Sequence, residues 1–215
     1  ELGATVDQAS GGQGYVPVAT DGTLFYCAQY QSGLPGIRVS RFTQAGVLGT
    51  QWTIPLPAGW TRVGSIAVAR DASVLYYATS VANQPIKRWD LVGNVAMADF
   101  IAAAATIKYM DLYVLRDDSI LSLQWDSAAT DFVRRYSAAA ATLNTFPFTD
   151  PFTTSTSSWF IDHIAPAQDD PISFGIWFQQ DNAIDSSWHD YVYKRITIAT
   201  AAVTEPLLQG TVLDA

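Results

Sequence analysis

The sequence predicts an all-β fold made of about four similar units, each with about four antiparallel strands. Short apolar runs separated by turn residues recur along the chain, and two residue markers recur in step with them. Helix signals are nearly absent. The two alanine-rich stretches, 101–105 and 138–141, are too short to be stable helices alone. We interpret them as connections or outer strands.

The stretch from Val63 to Asp90 shows one unit most clearly. An apolar strand at 65–69 runs into a turn at Asp71 and returns as a second strand at 74–78. A third strand then ends near Arg88. Three strands from one short segment cannot bury their faces alone. The unit is therefore expected to pack against others of its kind.

Three further segments show the same order of strand, turn and strand. Aspartates mark the first turn of each unit at intervals of 50, 46 and 52 positions: Asp21, Asp71, Asp117 and Asp169. Arginines mark the third strand at intervals of 47, 47 and 60 positions: Arg41, Arg88, Arg135 and Arg195. A period of roughly 40 to 50 residues with four strands per unit is typical of propeller blades. The sequence thus predicts a β-propeller-like array of about four four-stranded antiparallel blades.

The predicted domain spans residues 15–210, after a polar, glycine-rich N-terminal arm at 1–14 and before a C-terminal tail at 211–215. The blade limits are placed at 15–57, 63–105, 109–148 and 159–208. In the first blade, Asp21-Gly22 predicts a two-residue type I′ turn. In the fourth, the segment from Gln179 to Asp190 predicts an enlarged loop.

Four blades leave open whether the array closes as a ring. The array is either a closed four-bladed ring or a partial ring that other residues or chains complete. An open array exposes strand edges that pair readily with other strands. We therefore expect one terminus to add a strand to the other end of the array or to a neighbouring chain.

Composition excludes several classes of partner. A hydrophobic fraction of 49% with 15% charged residues indicates a folded chain. The net charge of −8 would repel phosphate backbones and anionic headgroups, so nucleic-acid binding is not expected. No apolar run is long enough to insert into a membrane. The single Cys27 allows neither an internal disulfide nor a cysteine-rich metal site.

Two segments resemble known propeller repeats. Residues Pro85–Phe100, with the run Lys87-Arg88-Trp89-Asp90, and residues Ser158–Phe178 are similar to blades of NHL and SMP-30-type β-propellers. The resemblance extends over about residues 15–208, although family members usually close five to seven blades. It implies a protein of the kind found on bacterial surfaces and in bacteriophage particles, and hence an extracellular or virion-associated location.

The resemblance also suggests where an enzyme would carry its chemistry. Propeller enzymes use the central channel, and the side chains expected there belong to Arg62, Lys108, Asp111, Asp162 and His163. An SMP-30-type lactonase would gather Glu, Asn and Asp around a hard cation. The only two glutamates, Glu1 and Glu205, lie at opposite ends of the chain. We expect no catalytic residue, no metal and no cofactor, and the metal-dependent hydrolase is the third hypothesis.

Histidines and aromatic residues provide the remaining site candidates. In a regular strand, Asp162 and His163 face opposite ways and cannot share one site. Trp89, Trp125 and Trp177 lie on predicted strands and are assigned to the core. The tryptophans next to predicted loops are available for stacking on a ligand. The binding candidates are therefore Trp60, Arg62, Trp159, Asp162, His163, Trp188 and His189.

The preferred hypothesis is a non-catalytic interaction or structural module. Its partner would be another protein or a second copy of the chain, because aromatic anchors concentrate binding energy at protein interfaces. The second hypothesis is a carbohydrate-binding propeller, used for adhesion, whose loop tryptophans stack on sugar rings.

Overall fold

A computed structural model describes ten parts of the chain. They are residues 17–30, 36–58, 60, 63–126, 131–148, 159–166, 173–181, 188–198, 202–203 and 208–213. The chain divides into two compact units, residues 1–114 and 115–215. The expected N-terminal arm at 1–14 and the turn residue Asp169 lie outside the described residues.

Four antiparallel sheets account for all regular structure in the described chain. The first contains β1 (Val18–Thr20), β2 (Phe25–Tyr30), β3 (Gly36–Phe42) and β4 (Leu48–Pro55). The second contains β5 (Ser65–Val68), β6 (Val74–Ala78), β7 (Lys87–Asp90) and β8 (Val95–Ala96). The third contains β9 (Ile107–Val114), β10 (Ile120–Asp126), β11 (Phe132–Tyr136) and β12 (Thr142–Pro147). The fourth contains β13 (Trp159–Pro166), β14 (Ser173–Asp181), β15 (Trp188–Thr197), β16 (Ala202–Val203) and β17 (Leu208–Leu213).

In the first three sheets the strands pair in chain order. In the fourth, β13 to β16 do the same, and β17 pairs with β15. The prediction of an all-β array of four-stranded antiparallel sheets is confirmed. The described residues include no helix, and hence none long and apolar enough to cross a membrane. The alanine-rich stretches serve as connections: residues 138–140 form the turn before β12, and residues 102–106 lead into β9.

Aspartates shape the turns between the first and second strands. Asp71 Oδ1 accepts hydrogen bonds from the Ser73 backbone N–H (3.0 Å) and hydroxyl (2.6 Å). Asp117 Oδ1 accepts the same pair from Ser119, at 3.2 and 2.6 Å. The residue after each aspartate has a left-handed φ, 58° in one turn and 61° in the other. These two aspartates are framework residues, as the repeat predicts.

The first turn differs from the prediction of a two-residue type I′ turn. Thr20 pairs with Phe25, so the connecting loop has four residues. The Asp21 carboxylate explains the longer loop, because its Oδ1 accepts the backbone N–H groups two and three positions further on, at 2.7 and 2.8 Å. Only Gly22 has a positive φ here, at 100°, whereas a type I′ turn needs two such residues.

The arginine marker keeps its register in the third sheet. A backbone hydrogen bond joins residues 69 and 74 across the turn of the second sheet, and one joins residues 115 and 119 in the third, so the third turn is one residue shorter. Two residues further on, Tyr76 pairs with Arg88 in the second sheet and Leu121 pairs with Arg135 in the third. The two arginines therefore occupy equivalent positions.

The three equivalent arginines make similar contacts. Arg41 donates to Thr50 Oγ1 (3.0 Å), Arg88 to the Ala98 carbonyl (3.0 Å), and Arg135 to Asn144 Oδ1 (3.1 Å). The first two guanidinium groups also lie over an aromatic ring, at 5.8 and 5.9 Å from its centroid. These arginines thus connect the third strand of each sheet to the segment that follows it.

Apolar side chains join the first two sheets into one core. Trp52 and Trp89 are both 7% exposed in this cluster. The Trp52 indole N–H donates to the Leu91 carbonyl at 2.9 Å, which links β4 to the residue after β7. The buried members of the cluster are Tyr26, Ala28, Ile37, Val39, Trp52, Ile54, Trp60, Val63, Ile66, Val68, Leu75, Tyr77, Trp89 and Leu91.

Two edge-to-face ring pairs pack the third sheet against the fourth. Phe146 lies 5.3 Å from Phe174, and Phe148 lies 5.5 Å from Phe178, with interplanar angles of 72° and 75°. Such pairs add about 0.5–1.5 kcal/mol beyond the area they bury. Face-to-face packing of successive sheets is the arrangement that the repeats require.

The fourth sheet ends differently from the prediction. Strand β14 ends at Asp181 and β15 begins at Trp188, so residues 179–181 and 188–190, expected in an enlarged loop, belong to strands. β17 pairs with residues 188–193 of β15, and β16 pairs with residues 196–197. Residues 211–213, expected as tail, thus belong to a strand that pairs within its own sheet.

Candidate binding site

The first strands of the first three sheets, β1, β5 and β9, lie side by side, with β5 in contact with both of the others. A polar contact fixes β5 against β9. The Ser65 hydroxyl donates to Asp111 Oδ1 (3.0 Å) and accepts the Leu112 backbone N–H (2.9 Å). Lys108 and Asp111, expected to face a central channel, are both half-buried on β9. Asp111 therefore helps to hold two inner strands together.

A cavity of about 130 Å³ lies between these three strands. Each strand contributes three consecutive residues close to its turn, and β2 adds one more residue. The lining is mostly apolar, which favours binding by burial and shape complementarity. The lining residues are Val18, Ala19, Thr20, Phe25, Ile66, Ala67, Val68, Leu112, Tyr113 and Val114.

Two of the lining side chains are exposed. Val18 is 57% exposed and Phe25 is 40% exposed, although both belong to strands of the first sheet. Large apolar side chains on strands usually face a core, and an exposed apolar group beside a cavity is typical of an interaction site. Val18 and Phe25 therefore form an apolar rim on the cavity.

The turn next to the cavity is held by buried polar contacts. Asp21 is 7% exposed, and its Oδ2 accepts the Tyr26 hydroxyl at 2.9 Å. Burial and this carboxylate raise the pKa of Tyr26 to about 12. Arg70 Nη1 lies 3.4 Å from the Asp21 carbonyl oxygen. This guanidinium thus borders the turn that directly follows the cavity-lining Thr20.

Trp60 does not have the exposed position expected of a binding residue. It is 7% exposed and belongs to the core of the first two sheets. Its indole N–H donates to Gln84 Oε1 at 2.6 Å, and its ring packs edge to face on Tyr77 at 5.9 Å. The Trp60 side chain is thus covered by core packing, and proximity to a loop did not make it accessible.

Trp125 shows the opposite error. The prediction assigned it to the core, but it is 40% exposed, while its neighbours Leu123 and Gln124 are buried. Trp125 lies next to the last residue of β10, beyond the part of the strand that the sheet covers. Trp89 is buried as predicted, and Trp177 is half-buried against Tyr193, with the two ring centroids 4.9 Å apart.

The other candidates lie in the second compact unit or outside the described residues. Arg62 is not among the described residues. Trp159, Asp162 and His163 are on β13, where Ile161 pairs with Phe178 and His163 pairs with the preceding Trp177. Asp162 is therefore the extra residue of a β-bulge. The argument that Asp162 and His163 must face opposite ways holds only for a regular strand and does not apply here.

Trp188 and His189 are the first two residues of β15. His189 pairs with Asp181 of β14 on one side and with Val212 of β17 on the other. Both residues were expected in a large loop, and both are in a strand with a neighbour on each side. The structure describes the backbone of these strand residues, and their roles in binding stay predictions.

Sequence reasoning did not identify the cavity. The available signal was small: Ala19 and Ala67 occupy the centres of lining segments in which a propeller core would usually place bulkier residues. Among the described residues, no group of three or more His, Cys, Asp or Glu side chains is arranged to hold a metal ion.

Comparisons with known proteins give the fold. No family model matches the sequence, and no curated protein matches it. The hydrazine synthase of Kuenenia stuttgartiensis is similar in structure, with a TM-score of 0.56 and 10% identity over 96% of this chain and 52% of that one. A protein assigned as TolB from Agrobacterium tumefaciens has a TM-score of 0.58 and 13% identity over 88% of this chain and 62% of that one.

Both similar structures are β-propeller proteins, which supports a propeller-type fold for this chain. At 10% and 13% identity the likeness shows the fold alone. The chain spans about half of the first solved chain and about three-fifths of the second.

Proposed function

We propose that this chain is a non-catalytic interaction module of the β-propeller type and binds a protein partner at the cavity between β1, β5 and β9. The observation that carries the proposal is the exposure of Val18 and Phe25 beside an apolar cavity. A partner that covers these side chains would bury an apolar surface, and aromatic residues are frequent anchors at such interfaces.

The setting that we propose is a bacterial surface or a bacteriophage particle, where the module would serve assembly or adhesion. The chain has only three lysines and a net charge of −8, and its blades resemble repeats from such proteins. The partner is a different protein or a second copy of the chain.

Site-specific photo-cross-linking tests the interaction. A photoreactive phenylalanine analogue replaces Phe25, and a matched control carries it at Val92, which is 83% exposed on the turn before β8. We expect an adduct of defined mass from position 25 and not from position 92. The captured protein, once purified, should bind the unmodified chain and fail to bind a folded Val18→Glu variant. Equal adducts from both positions, or equal binding by that variant, would contradict the proposal.

A second candidate function is glycan binding at Trp125. The specific observation is its 40% exposure next to Asp126, because an exposed indole stacks on sugar rings and a carboxylate accepts hydrogen bonds from sugar hydroxyls. Titration with a broad panel of sugars should change the tryptophan fluorescence, and Trp125→Phe should reduce the response. A panel without any response would exclude this function.

The non-catalytic assignment has its own test. Purified protein is incubated with simple lactones and calcium, alongside an Asp162→Ala variant. We expect no turnover by either protein. Calcium-dependent turnover that the Asp162→Ala substitution abolishes would establish a hydrolase instead.

A further inference from the structure

The size of the cavity limits the group that can enter it. A protein cavity of about 150 Å³ lined by aliphatic and aromatic side chains binds benzene. The cavity described above measures about 130 Å³, so one benzyl or isobutyl group fills it. A longer apolar chain would extend past Val18 and Phe25 into solvent. A single apolar side chain of a partner is therefore the group that fits.

One cation lies beside this apolar site. The Arg70 guanidinium is within 3.4 Å of the carbonyl of Asp21, the residue after the cavity-lining Thr20. A guanidinium has five N–H donors and a permanent positive charge, so an arginine at this place attracts an anion in addition to its contacts within the chain. The nearby Asp21 carboxylate already accepts three hydrogen bonds, two from backbone N–H groups and one from Tyr26. Its charge is therefore partly compensated.

We propose that the cavity binds the carboxyl-terminal residue of a partner protein, with its apolar side chain between β1, β5 and β9 and its terminal carboxylate on Arg70. In a carboxyl-terminal residue, the side chain and the carboxylate are both attached to the α-carbon. Such a residue can therefore place an apolar group in the cavity and a negative charge near the arginine beside it. This inference rests on the proposed function, because it names the ligand of the same site.

Two peptides that differ in one group provide the test. Acetyl-Gly-Gly-Phe has a free terminal carboxylate, and its carboxamide has the same side chain without the charge. We expect saturable methyl NMR shifts at Ala19 and Ala67 with the free acid. The carboxamide should bind at least about fivefold more weakly, since charge-assisted hydrogen bonds from arginine are the stronger ones.

Variants of the chain then show which residues bind the carboxylate of the peptide and which bind its side chain. Arg70→Gln should make the two peptides equal in affinity, whereas the matched control Arg88→Gln, on β7, should leave the preference for the acid unchanged. Ala19→Leu should weaken both peptides by partly filling the cavity, and the more conservative Ala19→Val provides the measurement if the leucine variant does not fold. Equal binding of acid and amide by the unmodified chain would overturn the proposal.

Absence of binding by either peptide would overturn it too. Cross-linking at Phe25 does not depend on a terminal carboxylate. A partner-specific adduct would thus uphold the proposed function even when the peptides fail. Loss of both the adduct and peptide binding would contradict the function and the ligand together.

Discussion

The second and third sheets use the same turn aspartate and the same third-strand arginine, but the two arginines make different contacts. In the second sheet Arg88 donates to the Ala98 carbonyl (3.0 Å) and lies over the Phe100 ring. In the third sheet Arg135 donates to Ser119 Oγ (2.9 Å) and Asn144 Oδ1 (3.1 Å).

Arg135 also forms an ion pair with the turn aspartate of its own sheet, Asp117. Burial alone would raise the pKa of Asp117, but hydrogen bonds from Ser119 and the Arg135 guanidinium outweigh it and lower the pKa. In the second sheet the pKa of Asp71 is lowered chiefly by hydrogen bonds from Ser73. One backbone position thus holds an arginine against an aromatic ring in one sheet and within a polar network in the next.

The largest expected effect comes from moving a cation to the core-facing side of the second sheet, one position after Arg88. Trp89→Arg should lower the free energy of unfolding by about 3–5 kcal/mol, because it removes a large buried side chain and places a cation in an apolar core. Chemical denaturation measures this, with Trp89→Phe as the control that keeps the core apolar. A loss below about 1 kcal/mol would show that this face accepts a guanidinium as readily as the opposite face does.

Removal of the network in the third sheet should cost less. Arg135→Ala deletes hydrogen bonds to three partners, and we expect a loss of about 1–2 kcal/mol, discounted because the Asp117 side chain is 48% exposed. Arg88→Ala, which loses one carbonyl contact and one ring contact at the equivalent position, is the matched variant and should cost about half as much. Equal losses would mean that the Arg135 network adds no stability.

A buried carboxylate should make the third sheet respond to pH. The residue before the third strand is Ile86 in the second sheet and Asp131, 9% exposed, in the third. Burial, followed by repulsion from the Asp126 carboxylate, raises the pKa of Asp131 to about 6. Because this value lies above the ordinary 3.8, ionisation costs stability as pH rises from about 4 to about 6.

Asp131→Asn keeps an oxygen that accepts the Asp126 backbone N–H and removes the charge. We expect the variant to be more stable by about 1 kcal/mol at pH 7.5 and no more stable at pH 3. Thermal unfolding across this pH range measures the difference. A stabilisation that does not change with pH would exclude ionisation of Asp131 as its cause.

The smallest expected effect concerns the shared turn. Ala72 has a φ of 58° after Asp71, a left-handed conformation that costs a residue with a side chain about 1–2 kcal/mol. Ala72→Gly should therefore stabilise the second sheet by a few tenths of a kcal/mol, after the entropy that glycine loses on folding. Ala78→Gly, within β6, is the control and should destabilise. A destabilised Ala72→Gly variant would contradict the proposed strain.

The repeat was enough to predict the number of sheets, their strand order and the framework role of Asp71. It also selected Arg135 and not the adjacent Arg134, although both fit a spacing near 47, and the pairing of Leu121 with Arg135 agrees with that choice. The turn geometry was less predictable. The type I′ prediction at Asp21 failed because the carboxylate bonds to two backbone N–H groups, and the loop has four residues.

The candidate site was less predictable than the sheets. The cavity is lined by segments near residues 18, 66 and 112, which are far apart in the sequence. No single segment indicates that a cavity forms where the three meet. The local sequence was equally insufficient to predict which tryptophan side chains are exposed. Trp60 looked like a loop residue but is covered by core packing, and Trp125 looked like a core residue but lies where β10 leaves the cover of the sheet.

Each sheet takes all of its described strands from one uninterrupted stretch of the chain, such as residues 18–55 for the first. Contacts between near neighbours in sequence form with little loop-closure entropy. During synthesis, a sheet can therefore assemble soon after its own residues leave the ribosome. The fourth sheet is the exception, since residues 188–193 of β15 wait for β17 before that edge is paired. Until residues 208–213 have been synthesised, that edge of β15 is unpaired and can bind a chaperone or pair with a neighbouring nascent chain.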